Sequence, residues 1–84
     1  MTYWVEYNGR RKPYDTLNEA RAAAIKFKDA KRKHIKIYKS PTSMKPVGEI
    51  GYSFDFGFIW YSYSVKLAGG LYHIYSDGKL MRGI

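Results

Sequence analysis

The chain has no cysteine, which removes disulfides, thiolate metal sites and a cysteine nucleophile together. That absence fits a reducing compartment, so a cytoplasmic location is the expectation. Acids are scarce: seven Asp and Glu stand against fifteen Lys and Arg, giving a net charge of +8 over 84 residues. Asp15 and Glu19 belong to a helix start, Asp77 to a turn and Asp29 to a run of lysines. Glu6, Glu49 and Asp55 are left, with no spacing that makes a catalytic pair. Only His34 and His73 are histidines, neither with an acid at ligand spacing, so no metal site is expected. No glycine-rich loop suited to phosphates is present. The sequence therefore predicts neither an enzyme nor a cofactor. Long apolar runs are missing as well. FDFGFIWYSYSV is too short and too alternating for a membrane-crossing helix. MTYWVEYNGRR places its charges after a strand-like segment, so no N-terminal signal is expected.

What the chain does have is aromatic and basic. At 45% hydrophobic and 18% aromatic it is globular in composition, and its length suits a single domain over 1–84. An excess of positive charge attracts polyanions: nucleic acid, an acidic protein face or an anionic membrane surface.

Tyr3, Val5 and Tyr7 alternate with Thr2, Trp4 and Glu6 as a strand. Asn8-Gly9 is a hairpin turn signal that returns Arg10–Tyr14 beside it. Pro13 lacks an amide hydrogen, which assigns the return strand to a sheet edge. Thr16 followed by Glu19 matches a capping box, and the helix is read from Leu17 through Ala30. Leu17, Ala20, Ala23, Ala24 and Phe27 share one face, with Ile25 off the stripe. Bases then crowd Lys26 to Lys39, more than a helix dipole needs. His34–Lys39 alternates as a half-buried strand, and SPTSMKP is a loop. Gly48–Phe54 is a further strand. The period-two pattern changes phase between Phe58 and Ile59, which calls for a turn or bulge at Asp55-Phe56-Gly57. That triplet also spells the magnesium-binding motif of protein kinases, but the chain lacks that fold's other motifs and its length.

From Phe58 the chain reads as a three-strand meander. Gly69-Gly70 closes FIWYSYSVKLA onto LYHIYS, and Asp77-Gly78 closes that onto KLMRGI. In this register Lys66 faces His73, Ser64 faces Tyr75, Tyr75 faces Leu80 and His73 faces Arg82. One side carries Ile59, Tyr61, Tyr63, Val65, Leu67, Tyr72, Ile74 and Met81 as an apolar face. The other carries Phe58, Trp60, Lys66, His73, Tyr75, Leu80 and Arg82, a row of bases and aromatics. Rings can stack on unpaired bases while cations take phosphates. A competing reading makes this second side another core layer, covered by the N-terminal hairpin or a symmetric partner.

The first forty residues, YWVEYNGRRKPYDTLNEARAAAIKFKDAKRKHIKIYKS, resemble a small phage and bacterial module. The pattern of hairpin, Thr-x-x-Glu-Ala helix start and strand is similar to the arm-site DNA-binding domains of tyrosine integrases. The resemblance implies that Arg10, Arg11 and Lys12 face DNA with the helix packed behind. Those domains place three strands before the helix, whereas this chain has at most two.

Together these readings predict an α+β fold, one amphipathic helix on a mostly antiparallel sheet, in the order β-β-α-β-β-β-β-β. The expected function is a small nucleic-acid-binding module, encoded by a phage or mobile element. Its candidate contacts are Arg10, Arg11, Lys12, Lys31, Arg32, Lys33, Lys36, Lys66, His73 and Arg82, with Trp60 and Tyr75 as stacking positions. The alternative is a protein–protein module that meets an acidic partner surface, such as a phage inhibitor or adaptor of a host complex. Homodimerisation is a third reading.

Overall fold

The computed structural model describes residues 1–62 in full and the strand backbones of 73–76 and 79–82. The expected α+β order is present. Strands β1 (Tyr3–Tyr7) and β2 (Arg10–Tyr14) precede helix α1 (Leu17–Ala24) and a 3-10 turn (Ala30–Arg32). Then come β3 (Ile35–Tyr38), β4 (Gly48–Ser53), β5 (Gly57–Ser62), β6 (His73–Ser76) and β7 (Lys79–Arg82). All seven strands join one antiparallel sheet in the order β2-β1-β3-β4-β5-β6-β7. Asn8 and Gly9 take positive φ values of 51° and 76°, as the tight β1–β2 turn requires. Pro13 does stand on an edge strand, where its missing amide interrupts no ladder.

Thr16 caps α1 as expected, its hydroxyl accepting from the Glu19 amide at 3.1 Å. Ala20 and Ala24 are fully buried against the sheet, joining Val5, Ile35, Ile37, Ile50 and Trp60 in one cluster. The helix is shorter than its sequence pattern. It ends at Ala24, and the amide of Lys26 bonds the Ala23 carbonyl at 3.2 Å. Tertiary contacts outweigh helix propensity here. Phe27 stacks on Tyr7 with centroids 3.9 Å apart, the Tyr7 hydroxyl donates to Asp29, and Ile25 packs on the core. A continuous helix would carry these side chains around its axis, away from the end of β1.

Two expectations about the sheet are corrected. The first concerns its faces. No phase change occurs between β4 and β5, because Ser53 pairs with Gly57 across a three-residue turn, so even-numbered residues oppose even-numbered ones. Ile50 therefore pairs with Trp60 and Tyr52 with Phe58, and the helix covers that side. Trp60 is only 3% exposed. The side expected to carry an exposed platform is the core side.

The second correction concerns register. Trp60, not Lys66, pairs with His73, and Phe58 rather than Ser64 pairs with Tyr75. The shift is six residues (66 − 60), an even number, so side-chain parity survives it. A uniformly alternating segment sets parity strongly and register weakly. The observed register aligns Ile59 with Ile74 and Phe58 with Tyr75. The Gly69-Gly70 turn and Lys66 lie outside the described residues. The β6–β7 pairing is as read from the sequence, with His73 opposite Arg82 and Tyr75 opposite Leu80.

Candidate nucleic-acid interface

An antiparallel sheet brings alternate strand ends to the same edge. The end of β1, the start of β3, the end of β4 and the start of β5 meet at one end of this molecule. The segment between α1 and β3 lies across that end, and its 3-10 turn packs against β4. Since Lys28, Lys31, Arg32 and Lys33 sit on this segment, the fold concentrates them at one end. Lys28, Lys31, Arg32 and Lys33 are all exposed.

Beside them is an open cleft of about 660 Å³. Tyr7, Ile25, Phe27 and Phe58 form its apolar part, and residues 28–32 form its rim. Tyr52 meets Phe58 edge to face at 5.1 Å, and the Lys31 ammonium lies 5.0 Å from the Tyr52 ring centre. Past them projects the β4–β5 turn, Phe54-Asp55-Phe56, closed by Gly57 at φ 78°. That positive φ is a left-handed value glycine adopts without strain where the chain re-enters β5, which supports the turn reading of the Asp-Phe-Gly triplet. Phe54 is 97% exposed and Phe56 45%.

Two acids stand at this end, Asp29 and the exposed Asp55 of the β4–β5 turn. Asp29 accepts from Tyr7 and pairs with Lys33 at 3.1 Å. Lys33 also donates to the Asn8 side-chain oxygen at 2.8 Å, pinning the segment to the β1–β2 turn. Lys28, Lys31 and Arg32 form no salt bridge among the described residues. These three cations are available to an anion.

The other candidate residues separate. Arg10 and Lys12 stand exposed on the helix side of β2, since Lys12 opposes buried Val5. Arg11 points to the far side and is committed. Its guanidinium pairs with Glu6 at 3.0 Å, donates to the Ser40 carbonyl at 3.1 Å and lies 3.6 Å above the Tyr38 ring centre. The three consecutive bases therefore do not share a face: Arg10 and Lys12 lie on the helix side, and Arg11 cross-links β2 to Glu6 and Ser40 on the other. Lys36 is exposed on the far side, in register between Glu6 and Glu49, within a row of alternating charge. Trp60 is corrected outright, because a ring buried under the helix cannot stack on a base. His73 and Arg82 fall in register with Trp60, and Tyr75 with Phe58, with their side chains outside the described residues.

Sequence reading omitted Lys28, Tyr52, Phe54, Phe56 and Phe58 from the candidate contacts. The signal was present: phenylalanines on a turn, where apolar residues have no core to reach, next to a run of bases. The described helix is far too short to cross a membrane. Compared with known proteins, the chain matches no protein-family model, no curated sequence and no solved structure.

Proposed function

We propose that this protein is a small nucleic-acid-binding module whose contact surface is the cationic end of the sheet. The observation that carries the reading is Lys28, Lys31 and Arg32, exposed and without ion-pair partners among the described residues, beside an open cleft. Clustered cations recruit a polyphosphate backbone and release its counterions. Arg10 and Lys12 extend the positive field along the edge strand, and the net charge of +8 strengthens it. The resemblance of the first forty residues to integrase arm-site domains supports the same class of partner, although Arg10 and Lys12 stand on the helix side of the sheet and Arg11, on the opposite face, is paired with Glu6. No catalytic chemistry is part of this proposal.

A titration of the protein against a labelled oligonucleotide, repeated from low to moderate salt, tests it. Three to five phosphate contacts give a slope of log K against log salt of roughly −2 to −4. No binding to DNA or RNA at low salt would refute the reading.

The second reading, a protein–protein docking module anchored by its aromatics, draws on the exposed Phe54 and Phe56. It predicts a discrete protein partner whose affinity changes little with salt.

A further inference from the structure

Phosphate attraction alone does not account for the aromatic residues at the cationic end. Tyr52, Phe54 and Phe56 are 37%, 97% and 45% exposed, and Phe58 lines the cleft behind them. Large apolar rings gathered on one surface mark a contact, and these continue from the cleft to the apex of a hairpin.

Resting on the nucleic-acid reading, we propose that the partner is an unpaired strand whose bases stack on Tyr52, Phe56 and Phe54 while Lys31 and Arg32 hold its phosphates. A duplex keeps its base faces stacked inside and offers mainly phosphates, for which the rings have no use. An unpaired strand presents both groups, a π-face and an anion, on every nucleotide. Here cation and ring already stand together, with the Lys31 ammonium 5.0 Å from the Tyr52 ring centre. The cleft beside them is lined by Phe58, Lys31 and Arg32.

Asp55, exposed at the apex between the two phenylalanines, separates this partner from the others. Insertion of the apex into an anionic lipid surface or an apolar protein pocket would carry the carboxylate out of water, at high cost. A duplex backbone laid across the apex would meet its negative charge. Bases stacked on the flanks of the turn leave it hydrated, and a flexible strand turns its phosphates toward Lys31 and Arg32.

Fluorescence anisotropy of the full chain tests the proposal. The probes are a mixed-sequence single-stranded DNA, the same sequence as RNA, its blunt duplex, and vesicles of phosphatidylserine and phosphatidylcholine. Unpaired strands should bind at least tenfold more tightly than the duplex. Phe54→Ala and Phe56→Ala should each weaken single-strand binding roughly five- to a hundredfold, the range for one lost stack. Phe56→Tyr, which keeps the ring, should restore it, and both Ala variants should melt cooperatively like the parent. Duplex binding as tight as single-strand binding, or Ala variants that bind like the parent, overturns the unpaired-strand proposal and leaves nucleic-acid binding standing. Binding to no oligonucleotide at low salt, whether or not vesicles are bound, overturns both.

Discussion

Trp60 depends on its smallest neighbour. A Cβ on Gly48 would stand 2.6 Å from the indole and closer still to the Tyr61 backbone carbonyl, and α1 closes over the ring with the Arg21 guanidinium 4.5 Å from its centre. Glycine is required at 48 by close approach and not by backbone conformation. Gly48→Ala should cost about 1–3 kcal/mol, the usual penalty for overpacking a filled core, read from urea denaturation. An unchanged midpoint would mean that the indole and the β5 backbone at Tyr61 both yield without cost. Trp60→Ala should cost about 3–5 kcal/mol through the cavity it leaves. It therefore reports on folding, and a loss of binding in that variant says nothing about stacking. Binding is probed at Phe54 and Phe56, which stand outside the buried cluster.

The element that defines the proposed interface is the segment after α1, and Tyr7 holds it down. The ring stacks on Phe27, the hydroxyl donates to Asp29, and the Lys33 ammonium lies 5.2 Å from the ring centre. Tyr7→Phe keeps the stack and removes one part-buried hydrogen bond, so the expected loss is about 1 kcal/mol. Amide exchange across residues 26–33 should quicken more than exchange in β3. Uniform quickening would show that Tyr7 supports the sheet and not the segment. Much at this scale could be read from the sequence, because the decisive signals were local. Asn8-Gly9, Pro13 and the Thr16 cap each act through their own backbone, and the Asp77-Gly78 turn lies outside the described residues. The helix end, the β5–β6 register and the buried side of β5 could not be read that way. Each depends on what meets a residue from elsewhere in the chain. Ile59 and Trp60 are both buried, on opposite sides of one strand, so alternation alone could not say which side the helix would take.

For the whole molecule, a net charge of +8 predicts attraction to any polyanion, whereas the fold predicts a place. Lys36 and Arg11 are drawn into a row with Glu6 and Glu49 on the far side of the sheet, and Lys39 and Lys45 stand exposed toward its other end. Lys28, Lys31 and Arg32 remain together at the aromatic end. Composition indicated the charge, and antiparallel topology sorted it. The most direct measurement compares two variants of equal net charge, Lys31→Glu with Arg32→Glu and Lys39→Glu with Lys45→Glu, against one oligonucleotide at fixed low salt. The first pair should lose at least tenfold more affinity than the second. Equal losses would show that overall charge, and no particular end of the sheet, governs binding.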